Sequence, residues 1–273
     1  MFRPGNKLAR SIHRHFGAEV SVDVSEVDGV RNLHLGNDVV QSAMRLKTPY
    51  ALELAYTRGM MAYLLFSEKV ERILAIGLGG GSVPKYLHHH LPVVSTTVVE
   101  INPQVIRIAR SHFALPEDDE RLQVLEGDGV AYIETLQTAP EAKKPQVLMI
   151  DAFDSFGIPD AMCTQGFFDQ CASALSVDGI LAINLWGSDK HFDVHLQRIE
   201  QSFDGRALIL PTGRPGNIVV FGFRRMPADL RIARLRERAR KLEETHRIEF
   251  LAFVEKLREH NQGTSHRLLL ETE

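Results

Sequence analysis

The sequence has little cysteine, a single tryptophan and no long apolar run. Its two cysteines, Cys163 and Cys171, are too few for a disulfide framework or a cysteine zinc site, which indicates a reducing compartment. No stretch approaches the roughly 18 apolar residues of a membrane span, and the first residues lack an apolar signal region. The net charge of -3 provides no strong field for nucleic acid. We therefore expect a cytoplasmic protein that binds neither membranes nor nucleic acid.

The first part of the chain predicts a small antiparallel β unit. Residues 1–18 are basic and contain Pro4 and Gly5, so we expect an irregular start. Between residues 19 and 44, apolar and polar residues alternate, and Asp28-Gly29 is a hairpin signal. Pro49 then favours the start of a helix that continues to about residue 66.

An apolar run leads directly into a glycine-rich loop. Residues 73–76 are followed by Gly77-Leu78-Gly79-Gly80-Gly81, a helical segment and a second β-branched run that ends at Glu100. This order is typical of a βαβ unit that binds a nucleotide or nucleoside, because glycines let the backbone approach a ligand closely. Ser82 is placed to cap the helix, and Glu100 to accept hydrogen bonds from both ribose hydroxyls. A structural glycine turn with a solvated glutamate is the alternative.

Strands and helices alternate through the main domain. We expect strands at 73–77, 96–100, 121–125, 146–151, 179–185, 206–211 and 217–223, and helices at about 82–90, 103–113, 129–138, 164–175 and 190–203. Alternation predicts a parallel sheet with helices on both faces. The last two strands are joined only by P-T-G-R-P-G, which is too short for a parallel crossover, so this pair is antiparallel. The α/β class is therefore a Rossmann-like, class I S-adenosylmethionine-dependent transferase fold with a seven-stranded sheet, rather than a plain NAD dehydrogenase.

Beyond residue 225 the composition shifts to arginine, lysine, glutamate and leucine, which predicts one or two amphipathic helices. Acidic residues are interspersed, so we expect these helices to pack on the domain or on a second copy of the chain. The consecutive residues His88-His89-His90 point around a helix instead of converging, and we expect no metal site. We divide the chain into a β unit (1–48), a nucleoside-binding catalytic domain (49–225) and a helical extension (226–273).

Further acidic residues follow the third and fourth strands of this domain. Asp128, between Gly127 and Gly129, is placed to accept a hydrogen bond from an adenine amino group, to cap the next helix, or both. Asp151 ends an apolar strand and Asp154 follows in the loop, where ligands of open α/β sheets bind. Carboxylates there are suited to hold a cationic amine and to take the proton that it must lose before it attacks. For Asp154 a solvated loop acid is the alternative.

These residues resemble the spermidine synthase family, the polyamine aminopropyltransferases, and most of all its bacterial spermidine synthase-like branch. The likeness runs from about residue 20 to residue 223 and includes D-V-V-Q-S, Tyr56-Thr57-Arg58, the glycine loop, G-D-G and D-A-F-D-S-F-G-I-P. The resemblance implies transfer of an aminopropyl group from decarboxylated S-adenosylmethionine, a cosubstrate rather than a bound cofactor, to an amine such as putrescine, and we expect a homodimer.

The resemblance also implies residue roles. Gln41 reaches over the cosubstrate, Glu100 holds the ribose, Asp128 holds the adenine, Asp151 is the base and Asp154 lines the amine site. The expected cosubstrate site contains Gln41, Gly77, Gly79, Gly80, Gly81, Glu100, Asp128 and Gly129, and the expected amine site contains Tyr56, Arg58 and Asp154.

The sequence departs from the family pattern at two positions. Gly80 replaces the Asp of G-G-G-D-G-G that contacts the ammonium of the aminopropyl arm, and Arg58 replaces the Glu of Tyr-His-Glu or Tyr-Gln-Glu. A misplaced charge at roughly 4 Å would disfavour a cationic ligand by about 4 kcal/mol at an effective dielectric of about 20. This effect would be absent if Arg58 points away from the pocket or pairs with Glu53.

Two alternatives for the function stay open. One is a methyltransferase that uses intact S-adenosylmethionine, for whose carboxylate Gly80 leaves room; the other is a catalytically idle binding or assembly protein.

Overall fold

A computed structural model describes residues 10–15, 21–153, 157–213 and 216–270, with side chains from residue 21 onward. The N-terminal strands form one antiparallel sheet in the order β1-β2-β3-β4. These strands are β1 (Arg10–His15), β2 (Val22–Val27), β3 (Val30–Leu35) and β4 (Ser42–Arg45). The predicted β unit is confirmed, with positive φ at Asp28 and Gly29 in its first predicted turn. The irregular start is wrong for residues 10–15, whose sequence R-S-I-H-R-H has no clear alternation and which pair with β2.

The larger sheet has the order β10-β11-β9-β8-β5-β6-β7. Its strands are β5 (Arg72–Ile76), β6 (Ser95–Glu100), β7 (Leu122–Glu126), β8 (Val147–Ile150), β9 (Ile180–Trp186), β10 (Ala207–Pro211) and β11 (Asn217–Phe223). Strands β5 to β9 run parallel, and β11 is antiparallel to both β9 and β10. The predicted mostly parallel sheet with an antiparallel end is therefore confirmed. The carboxyl ends of β5, β6 and β8 lie side by side.

Helices cover both faces of the larger sheet. They are α1 (Ala55–Met60), α2 (Ser82–His90), α3 (Pro103–His112), α4 (Gly129–Gln137), α5 (Gln165–Ala174), α6 (Phe192–Ser202), α7 (Ile232–His246) and α8 (Phe250–His260). The expected helix start at Pro49 is wrong, because the chain turns there and Ala51 N–H donates to the Thr48 carbonyl (3.0 Å). Helix α1 begins at Ala55 and continues as a 3₁₀ helix over Met61–Leu65.

Two apolar layers enclose the larger sheet. One contains Phe167 and Phe203 from the α5 and α6 side. The other joins Leu33 of the small sheet, Met60 of α1 and Phe253 of α8 in one continuous core. The C-terminal helices therefore pack on the same side as the small sheet and α1, which confirms the expected packing on the domain.

At the β10 edge of the larger sheet, one side chain pairs with the backbone of a strand residue. Asn261, which follows α8, accepts from the Ile209 N–H (2.7 Å) and donates to the Ile209 carbonyl (2.8 Å), so it takes the place of a neighbouring strand beside β10.

Among the described residues, no helix has the length and apolar character needed to cross a lipid bilayer.

Candidate active site

A cavity of about 410 Å³ lies at the carboxyl ends of β5, β6 and β8. This volume is within the range of roughly 300–1,000 Å³ that is usual for small-molecule sites. The predicted site residues that line it are Gln41, Gly77, Gly79, Glu100, Asp128, Gly129 and Asp151. Residues that are far apart in the sequence thus meet where the strand-end argument places them.

Two glycines allow the strand ends to approach one another. Gly77 has a φ of +90°, and a Cβ on it would lie 2.2 Å from the Asp151 carbonyl oxygen. A Cβ on Gly129 would lie 2.4 Å from Cγ2 of Ile76. Any side chain at Gly77 would therefore push the ends of β5 and β8 apart. The glycine loop brings the first strand of the domain into direct contact with the backbone of Asp151.

The last two glycines of the loop, Gly80 and Gly81, pack against the protein interior. A Cβ on Gly80 would meet Phe113 at 2.8 Å and Ser42 Oγ at 2.9 Å, and one on Gly81 would meet Leu115 at 2.8 Å. Neither glycine lines the cavity. An Asp at position 80 would therefore have to displace Phe113 or Ser42 in this packing.

The capping role expected for Ser82 is wrong. Gly81, with a φ of +69°, is the N-cap of α2, and no side chain caps this helix end. Ser82 is the first residue inside the helix, and its hydroxyl lies 3.2 Å from the hydroxyl of Ser42. Ser82 instead ties the start of α2 to β4.

Glu100 is buried at the end of β6, where backbone N–H groups hold its carboxylate. Its Oε2 accepts from Leu78 N–H (2.9 Å) and its Oε1 from Asn102 N–H (2.8 Å). Burial raises the pKa of Glu100, while the N–H groups of Asn102, Leu78 and Ile101 oppose that rise. A carboxylate has about four acceptor positions, so it can bind these donors and ribose hydroxyls together.

Asp128 caps α4, since its Oδ1 accepts from Val130 N–H (2.8 Å). It also lines the cavity, so the two roles expected for it are compatible. Ile101 lines the same cavity and is 70% exposed. Ile101 was missed in the sequence, where it appears only as an apolar residue directly after Glu100.

Asp151 lies in a network of side chains from distant segments. Its Oδ1 accepts from Nδ2 of Asn184 (3.0 Å), and Oδ1 of Asn184 accepts from Nδ2 of Asn217 (3.0 Å). Burial raises the pKa of Asp151, and hydrogen bonds from Asn184 and Tyr56 oppose the rise. Asn184 and Asn217 were missed; the available signal is a polar residue inside the apolar strand I-L-A-I-N-L-W.

Tyr56 and Gln41 lie on the other side of Asp151. The single hydroxyl hydrogen of Tyr56 can be donated to the Gln41 carbonyl (3.1 Å) or to the carboxylate of Asp151. Burial, and then the charge of Asp151, raise the pKa of Tyr56, which stays a neutral phenol. The buried Nε2 of Gln41 has no hydrogen-bond partner among the described residues, so a donor is available to a ligand.

Arg58, which was expected in the amine site, lies elsewhere. Arg58 does not line the cavity: its guanidinium binds the Glu249 carboxylate and the backbone carbonyls of Leu52 and Glu53. The alternative in which Arg58 points away therefore holds, whereas the side chain of Glu53 pairs with Arg45. Asp154 lies outside the described residues.

Each residue of the triple-histidine segment has a different neighbour. His88 Nε2 lies 2.8 Å from an oxygen of Asp119. His89 stacks on Tyr50 and His90 packs against Tyr86. The three rings thus do not share one partner.

Comparisons with known protein sequences show which family this chain resembles. A family model described as the spermine/spermidine synthase domain matches residues 53–204. A polyamine aminopropyltransferase of Chromobacterium violaceum is 39% identical over 249 residues, which cover 91% of this chain and 94% of the relative. One from Neisseria meningitidis serogroup B is 40% identical over 230 residues, with coverage of 84% and 86%.

Solved structures share the fold. A spermidine synthase in complex with the transition state analogue AdoDATO aligns with a TM-score of 0.70 at 20% identity, covering 88% of this chain and 85% of that chain. Human methyltransferase-like protein 13 in complex with SAH aligns with a TM-score of 0.65 at 27% identity, with coverage of 71% and 93%. The family match over more than half of the chain and the near full-length relatives lead to one conclusion: this chain belongs to the spermine/spermidine synthase family.

Proposed function

We propose that this protein transfers the aminopropyl group of decarboxylated S-adenosylmethionine to a small amine, with putrescine as the first candidate. The observation that carries the proposal is the contact between the glycine loop and Asp151, which joins a nucleoside-type cavity to a hydrogen-bonded carboxylate. The names of the curated relatives support the same reaction class.

The cosubstrate end of the cavity suits an adenosyl group. In the proposed complex, Glu100 binds the ribose hydroxyls, Asp128 the adenine amino group and Ile101 one face of the base. Their position in the cavity wall, together with that of Gln41, supports this proposal. Two structural neighbours, in complex with AdoDATO and with SAH, support an adenosyl compound here.

The charges around the cavity favour the decarboxylated form. Among the described residues its wall contains Glu100, Asp128 and Asp151 but no lysine, arginine or histidine. Decarboxylated S-adenosylmethionine carries a sulfonium and an ammonium without a carboxylate, so it suits this wall better than the intact compound. The space beside Gly80 that a methyltransferase would need for the carboxylate is filled by Phe113 and Ser42.

The reaction requires a base and alignment. The acceptor amine is protonated at neutral pH, and Asp151 takes one proton from it. The nitrogen lone pair then forms a bond to the aminopropyl carbon, the bond from that carbon to sulfur breaks, and both electrons go to the sulfonium, leaving neutral methylthioadenosine. Because the sulfonium is already a leaving group, the protein mainly orients the reactants. Tyr56 and Asn184 orient the carboxylate of Asp151.

Calorimetry with four ligands tests the proposal: decarboxylated S-adenosylmethionine, intact S-adenosylmethionine, methylthioadenosine and S-adenosylhomocysteine. We expect tight binding of the first and third. Preference for the second and fourth would indicate methyl transfer, and binding of none would support the catalytically idle alternative.

The assembly and the location stay predictions. We propose a homodimer in the cytoplasm, in line with a small-molecule enzyme. Sedimentation of the purified full chain tests the dimer, and fractionation of the source cells tests the location.

A further inference from the structure

Helix α1 connects the candidate base to the C-terminal extension. It has six residues, its N-cap Leu54 makes no side-chain capping bond, and its first turn has no acidic residue. Tyr56 reaches Asp151 and Gln41, while Arg58, two positions further on, points out of the cavity because residues at i and i+2 face different directions. A small shift of this short helix would therefore move the Tyr56 hydroxyl relative to Asp151.

Arg58 holds α1 from outside. Its Nε lies 2.9 and 3.0 Å from the two carboxylate oxygens of Glu249, at the junction of α7 and α8. Its Nη1 donates to the carbonyls of Leu52 (3.2 Å) and Glu53 (2.8 Å), just before α1. One guanidinium thus ties the entry of α1 to the extension, a task that the single ammonium of lysine would perform less well.

The Glu249 carboxylate can bind Arg58 because Glu243, rather than Glu249, caps the start of α8. Glu249 is the N-cap of α8 but makes no side-chain capping bond there. Instead, Oε1 of Glu243 accepts from the N–H of Leu251 (2.8 Å). An acid at an N-cap position would ordinarily bind its own helix, whereas here its carboxylate reaches back to Arg58 of α1.

The inner side of α1 packs closely against the end of the larger sheet. A Cβ on Gly59 would lie 2.4 Å from Cγ2 of Thr212 and 3.5 Å from Val219 of β11. The helix is therefore held between the sheet and Glu249. We infer that Arg58 and Glu249 form a positioning pair through which the C-terminal extension sets the place of Tyr56 beside Asp151. This inference rests on the proposed function for its kinetic consequence but not for its structural one.

The test compares Glu249→Gln with Glu255→Gln. Glu255 lies in α8 and, like Glu249, is held at two oxygens by an arginine, since Arg236 donates to it at 2.7 and 2.9 Å. That pair joins only α7 and α8. We expect Glu249→Gln to lower kcat/KM for the amine about tenfold, because small misplacements in an aligned site are costly. Methylthioadenosine affinity should stay within about twofold, since Glu249 does not line the cavity and the contacts of Glu100 and Asp128 are unchanged. Glu255→Gln should leave kcat/KM unchanged.

Two further measurements separate positioning from general stability. Hydrogen exchange of residues 55–60 should speed up in Glu249→Gln and not in Glu255→Gln, whatever the enzyme's substrate. Arg58→Gln combined with Glu249→Gln should lose no more kcat/KM than the worse single variant, because Arg58→Gln alone already removes the ion pair that Glu249→Gln removes. Equal losses in Glu249→Gln and Glu255→Gln, or unchanged exchange in α1, would overturn the inference. If the natural protein transfers nothing to any amine, the proposed function fails, while the exchange result still decides on the pair.

Discussion

At the nucleoside end of the cavity, backbone N–H groups hold the carboxylates, whereas at the amine end side chains from distant segments hold Asp151. Glu100 accepts from Leu78 and Asn102, and Asp128 accepts from Val130, two residues away. Asp151 depends on Asn184 and Tyr56. The first end is thus fixed by the glycine loop and strand ends, and the second by packing between distant parts of the chain.

Because of this difference, we expect the nucleoside end to determine ligand binding and the amine end to determine the reaction rate. Changes at the nucleoside end should weaken ligand affinity, and changes at the amine end should slow the reaction or shift its pH dependence. A variant that moved both properties together would break the comparison.

The largest effect is expected for Asp151→Asn. Loss of a general base typically costs about 10²- to 10⁴-fold in rate, so kcat should fall by that order. Methylthioadenosine should still bind nearly normally, because Glu100 and Asp128 are unchanged. Steady-state kinetics and calorimetry measure the two properties, with Asp178→Asn as control, since Asp178 lies on the surface near Arg225. Undiminished turnover in Asp151→Asn would remove this residue from the mechanism.

A smaller effect, on the other property, is expected for Glu100→Gln. Hydrogen bonds to a charged group contribute about 1.5–3 kcal/mol, so methylthioadenosine affinity should weaken about 10- to 100-fold. The KM for the amine should change little. Glu126→Gln is the matched control, because Glu126 is paired in register with Glu100 on the neighbouring strand but lies outside the cavity wall. Equal affinities for the two variants would contradict the ribose role.

The smallest effect concerns pH. Because Asp151 acts as a base only when deprotonated, and burial raises its pKa, kcat should be lost as pH falls through a value above that of an ordinary aspartate. Asn184→Ala removes a donor that opposes this rise, so its acid limb should move to higher pH, with activity recovered on the alkaline side. Profiles of kcat against pH measure the shift. A limb that moved to lower pH, or that did not move, would contradict the hydrogen-bond account.

The same contrast explains what the sequence could predict. The strands and their mostly parallel direction, the glycine loop, Glu100 and Asp128 follow from local patterns, since strand periodicity and backbone turns are encoded by neighbouring residues. Asn184 and Asn217 were missed because their contacts join β9 and β11 to the end of β8, and no local pattern encodes that geometry.

Arg58 illustrates the limit most clearly. Its place in the Tyr56-Thr57-Arg58 motif predicted a residue near the amine, with pairing to Glu53 as one alternative. The actual partner, Glu249, lies in the C-terminal extension. The sequence shows that residue 58 is positively charged. The direction of its side chain, however, depends on Glu249, nearly two hundred residues later in the chain. The expected helix start at Pro49 is wrong for a local reason. The N–H groups of Thr48 and Ala51 form turn hydrogen bonds there instead of helical ones.

The most direct test of the central claim is product analysis by mass spectrometry. The purified full chain would be incubated with putrescine and an equimolar mixture of decarboxylated and intact S-adenosylmethionine. The account predicts methylthioadenosine and an aminopropylated amine in equal amounts, both formed about 10²- to 10⁴-fold more slowly with Asp151→Asn. S-adenosylhomocysteine together with a methylated product would contradict it.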